Sequence, residues 1–72
     1  MTYTTIDDVV FSLREADPGF DELDTETLRG IVRDNKSGRY EDITHAELDE
    51  MVIAAYEALG IERKDAERIV YA

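Results

Sequence analysis

His45 is the chain's one histidine, and Glu41, Asp42 and Glu47 stand close to it in sequence. An imidazole with a carboxylate partner is the usual means of general acid–base catalysis, provided that a pocket and a positioned partner accompany it. Neither Ser12 nor Ser37 has the neighbours of an activated nucleophile, and no glycine-rich loop is available to cradle a phosphate. The chain has no cysteine, which removes thiol nucleophiles, disulfides and thiolate metal ligands together. Its 18 carboxylates read as a solvated surface rather than as a matched acid and base. His45 therefore reads as an exposed residue at a helix start, and the sequence predicts neither catalytic residues nor an enzyme.

The segment Ile43-Thr44-His45-Ala46-Glu47-Leu48 resembles the second half of an EF-hand calcium loop. With Glu47 as the last ligand of that loop, the positions that should hold acidic or amide ligands and then glycine are Lys36, Gly38, Tyr40 and Glu41. The resemblance stops where the coordination chemistry begins, so no specific metal site and no cofactor are expected. A second segment, Leu59-Gly60-Ile61 followed by Ala66 and Ile69, resembles the tight turn of helix-turn-helix DNA readers and of ubiquitin-associated domains. It departs from the DNA-reading pattern at Tyr56, where a small residue is wanted, and in its second helix, where Glu62, Asp65 and Glu67 interleave with Arg63, Lys64 and Arg68. The segment implies a helix–helix corner and carries no function across.

Charge narrows the partner. Eighteen acidic residues against eight basic ones give a formal charge of −10 on 72 residues, which repels phosphate backbones and anionic lipid. Direct nucleic-acid and membrane binding are disfavoured. The start of the chain lacks a basic leader and places Asp7 and Asp8 within its apolar stretch, so it does not read as a signal peptide, and no apolar run reaches the ~20 residues that cross a bilayer. With no cysteine, the expected compartment is the cytoplasm. Six of the eight cations are arginine, a bias that suits either a high-salt cytoplasm or a GC-rich genome. A chain of this length holds one core, residues 1–72 as a single domain, and its modest stability favours association with a partner or with a second copy.

These residues have to be positioned by helices. Leu48, Met51, Val52, Ala55, Tyr56 and Leu59 recur on one helical face, Thr44 and Glu47 have capping-box spacing, and Gly60 is placed to end the helix; the pattern predicts a helix over 45–59. Ile6, Val9, Val10 and Leu13 predict an earlier helix stopped by Pro18 and Gly19, with a strand over 3–13 as the alternative. Leu28, Ile31 and Val32 predict a third, begun at Asp24 or Thr25 and stopped by the polar run 34–38; Ala66, Ile69 and Val70 predict a short last one. An aliphatic residue, a capping or acidic residue and a later apolar residue recur as Ile6-Asp7…Phe11, Leu23-Asp24…Leu28, Ile43-Thr44…Leu48 and Ile61-Glu62…Ala66, the spacing of a hydrophobic staple around an N-cap. Two copies extend upstream, Phe20-Asp21-Glu22-Leu23 resembling Tyr40-Glu41-Asp42-Ile43. The fold class is all-α, a compact bundle of three to four short helices.

What remains for function is surface. Ile53 lies roughly 140° from Leu48 around its helix, and Tyr71 is similarly off the face of the last one. Either residue covers a second flank of the core or serves as an anchor on a partner, and the four tyrosines share that anchoring chemistry. The candidate protein-binding residues are thus Ile53 and Tyr71, with Asp21, Glu22 and Asp24 as the charged component. The expected role is a non-enzymatic interaction or regulatory accessory. The alternatives are an acidic mimic of nucleic acid that blocks a basic groove, and a self-associating structural protein adapted to salt. Convergence of Asp7, Asp8, Glu15, Asp17, Asp21, Glu22, Asp24 and Glu26 on one face would favour mimicry, and an even spread would favour salt adaptation.

Overall fold

The computed structural model describes residues 3–36 and 38–72; Ser37 lies outside them. They form four α-helices: α1 (Ile6–Ala16), α2 (Thr25–Asn35), α3 (His45–Ala58) and α4 (Arg63–Tyr71). Two short 3₁₀ turns, Pro18–Glu22 and Tyr40–Asp42, precede α2 and α3. No strand occurs among the described residues, and residues 6–13 of the segment that could have been one are helical, in α1.

The starts of α1, α2 and α3 are set by side-chain caps. Thr5 caps α1, accepting from the Asp8 N–H at 3.3 Å while the Asp8 carboxylate accepts from the Thr5 N–H at 3.1 Å. The cap therefore lies two residues before Asp7, so Ile6 is inside the helix and the staple expected between Ile6 and Phe11 does not form: Phe11 is exposed. At the other three copies the register is as expected, with Asp24, Thr44 and Glu62 as N-caps and Leu28, Leu48 and Ala66 each in the first helical turns. Thr44 and Glu47 make the reciprocal capping box.

The repeated segments are repeated structure. In each, an aromatic residue opens or sits in a 3₁₀ turn and its carbonyl accepts from the aliphatic residue three positions on, Leu23 N–H to Phe20 at 3.1 Å and Ile43 N–H to Tyr40 at 3.3 Å. The next residue is the N-cap of a helix. At the other end of α3, Gly60 adopts a φ of 96°, and the Ile61 and Gly60 N–H groups return to the carbonyls of Tyr56 and Glu57 at 3.0 and 2.9 Å. This is a Schellman closure, which needs a left-handed residue and hence glycine. It turns the chain directly into α4.

α3 packs against α4, α2 and α1, while α1 also packs on α2 and on the first 3₁₀ turn. The core is Val9, Val10, Leu13, Phe20, Leu28, Val32, Met51, Ile53, Ala55, Tyr56 and Ala66. With neighbours on several sides, α3 buries residues over an arc of about 200° at the helical 100° per residue, from Met51 through Tyr56 to Ile53. Ile53 is fully buried, so it is core and not an anchor for a partner. α4 behaves in the opposite way, since it packs mainly on α3. Ile69, expected on its core face, is 52% exposed.

Candidate functional site

The corner where α1 meets α2 is built around Arg14. Its guanidinium donates to the carbonyls of Phe20 and Leu23 at 3.3 and 3.1 Å and to the Thr25 hydroxyl at 3.1 Å, with the Asp21 carboxylate 3.9 Å away. One cation thus satisfies the carbonyls left by the 3₁₀ turn and ties α1 to the start of α2. On the inner side, the Tyr56 hydroxyl donates to Asp17 at 2.7 Å, and its ring sits 4.8 Å from that of Phe20. Asp17 also accepts from the Gly19 N–H at 2.8 Å, capping the turn. The bond from Tyr56 holds the Asp17 carboxyl below its usual range, and the same bond, with burial, pushes the Tyr56 phenol up to about 12.

The charge on this part of the molecule is lopsided. Residues 1–28 contain eight carboxylates and one cation, Arg14, so they carry −7 of the formal −10. Arg29 in α2 reaches two of the eight, at 2.9 Å from Asp7 and 2.7 Å from Glu26. Asp8 completes the capping box of α1 and Asp24 caps α2, and hydrogen bonds from Thr4 and Thr27 respectively hold both below the ordinary carboxylate range. Glu15 and Glu22 are exposed and have no ion pair or hydrogen bond among the described residues.

Asp21, Glu22 and Asp24 are all exposed on this corner, as a charged contact surface requires. Asp24 has a second, structural task, accepting from the Thr27 N–H at 2.7 Å. Tyr71 lies apart from them, 57% exposed on α4. It lines a shallow depression of about 470 Å³ with Lys64, Glu67, Arg68 and Ala72. Partial desolvation of its phenol, followed by the charges of Glu50 and Asp49 on α3, pushes its pKa up. Of the other tyrosines, Tyr56 is buried and Tyr3 and Tyr40 are half-buried against the core. Ile53, as shown above, belongs to the core.

The chain matches no protein-family model, no curated protein and no solved structure. Besides Ile53 and Ile69, sequence reasoning misplaces Phe11, which is 61% exposed on the outer side of α1. The signal that could have found it was the Thr5-x-x-Asp8 spacing, which sets the start of α1 and, with it, the direction of Phe11.

His45 is exposed at the first position of α3 and makes no hydrogen bond or ion pair among the described residues. Its acidic neighbours are engaged elsewhere, Glu41 and Asp42 with Arg39 at 3.1 and 3.6 Å and Glu47 with Thr44. In the loop before α3, the Lys36 ammonium lies 4.5 Å over the Tyr40 ring and donates to the Gly38 carbonyl. Arg63 holds α4 to α3 by donating to both carboxylate oxygens of Glu50, at 2.9 and 2.8 Å.

Proposed function

We propose that this protein is a non-enzymatic interaction module that binds a basic surface of another protein through the half built from α1, the first 3₁₀ turn and the start of α2. The observation that carries this reading is the segregation of charge: most of the formal charge falls on residues 1–28, which also carry the exposed Phe11. Evenly spread acidity would serve solvation alone, whereas a one-sided field steers and orients a cationic partner. The isolated, exposed His45 supports a role without catalysis, and the absence of cysteine supports the cytoplasm as its compartment.

The test is retention from nuclease-treated lysate of the source organism at graded salt, comparing the parent with Glu15→Gln/Asp21→Asn/Glu22→Gln, which leaves the helix caps intact. A discrete protein retained by the parent and released by neutralisation or by salt is the expected result. Equal retention by both would refute the reading. If DNA or RNA competes for the partner's site and Phe11→Ser binds as the parent does, the protein is acting as a nucleic-acid mimic instead.

A further inference from the structure

We propose that Phe11 is the anchor of this surface and that its partner is a cationic amphipathic segment of another protein, with an apolar face that receives the ring and flanking lysine or arginine. This rests on the interaction-module reading and adds the residue and the chemistry of what it meets. Val9, Val10 and Leu13 define the buried side of α1, and Phe11 points about 150° away from their mean direction at 100° per residue. Its neighbours one helical turn away are Asp7 and Asp8 before it and Glu15 after it. Arg14 occupies the fourth such position, but its guanidinium is turned into the α1–α2 corner by three hydrogen bonds. Arg29 approaches from α2 and offsets Asp7 alone among the three acids. The ring is therefore an apolar knob in an acidic surround, complementary to an apolar pocket with a cationic rim.

Among the described residues, the other large exposed apolar side chains, Ile69 and Tyr71, do not form such a surface. Ile69 and Tyr71 stand about 160° apart around α4. Lys64 and Arg68 border Tyr71 together with Glu67, so that surface has no single sign. Phe11 also belongs neither to the core nor to the apolar residues packed against it, and an exposed aromatic ring is the kind of side chain that dominates binding when a partner desolvates it.

The experiment is a titration of the isotope-labelled full chain with a synthetic leucine–lysine amphipathic helix, followed by amide chemical shifts, with oligolysine of equal charge as the control. The expected result is saturable shifts centred on residues 7–15 and an affinity that falls with salt. Phe11→Ser should weaken the helix by at least about tenfold, Phe11→Leu should recover part of the loss, and oligolysine should bind more weakly and ignore the Phe11 change. Circular dichroism checks that each variant is folded. Affinity within twofold of the parent for Phe11→Ser, or shifts centred on α4, would overturn the anchor while leaving an acidic interaction module intact. Binding of neither peptide would overturn both.

Discussion

Replacing Ile53 with alanine should destabilise the protein severely, while replacing Phe11 with alanine should leave it nearly unchanged. Ile53 is fully enclosed where α3 meets its neighbours, and truncation of such an isoleucine removes buried methyl groups and leaves a cavity, at a cost of about 2–5 kcal/mol. A domain of 72 residues has a total stability of roughly 4–11 kcal/mol at the usual value per residue, so the loss is a large fraction of the whole. Ile53→Val should cost about 0.5–1.5 kcal/mol, giving a graded series at one site. Phe11 is 61% exposed and its replacement by a stronger helix former should stay within about 0.5 kcal/mol of the parent. The assay is urea unfolding followed by circular dichroism. For a slope near 1 kcal/mol/M, the Ile53→Ala midpoint should fall by about 2 M or more, or the variant should be unfolded without denaturant. An Ile53→Ala midpoint equal to the parent's, or a loss above about 2 kcal/mol for Phe11→Ala, would refute the assignment of core and surface.

Thr44→Ala should cost roughly 0.5–2 kcal/mol through loss of the cap on α3, measured by thermal melts at equal concentration. Alkaline titration read by tyrosinate absorbance should show one phenol ionising near 12, absent in Tyr56→Phe. Because the folded phenol lies above its unfolded value of 10.0, the stability tied to the Tyr56–Asp17 bond should be complete below pH 10 and disappear as pH rises toward 12, a loss that Tyr56→Phe should not show. At a formal charge of −10, sodium chloride should raise the melting temperature by screening over a Debye length of ~10 Å at 0.1 M. Calcium should add nothing beyond its valence; a large stabilisation by micromolar calcium would indicate a dedicated site instead.

The helices were legible because their signals are local. The Thr44–Glu47 box and the Gly60 closure depend on a few adjacent residues, and both form where the spacing requires. The 3₁₀ turns were visible only as a repeated tetrapeptide, since the hydrogen bond that defines each one links residues with no periodic hydrophobic signature. The fate of Ile53 depended on how many sides of α3 are covered, a tertiary fact that a helical wheel does not contain. Ile69 is exposed for the same reason in reverse, because α4 packs mainly on α3. The acids at Asp21, Glu22 and Asp24 are exposed, but the corner that holds them against α1 depends on the long side chain of Arg14 reaching the Phe20 and Leu23 carbonyls, which no local pattern announces.

The most direct test of the central claim is the amide chemical-shift footprint of the partner recovered from the source organism, measured on the labelled chain at low and high salt. Binding through the acidic half predicts shifts over α1, the first 3₁₀ turn and the start of α2, centred on Phe11 and weakened by salt. A footprint on α4 around Tyr71, insensitive to salt, would contradict it.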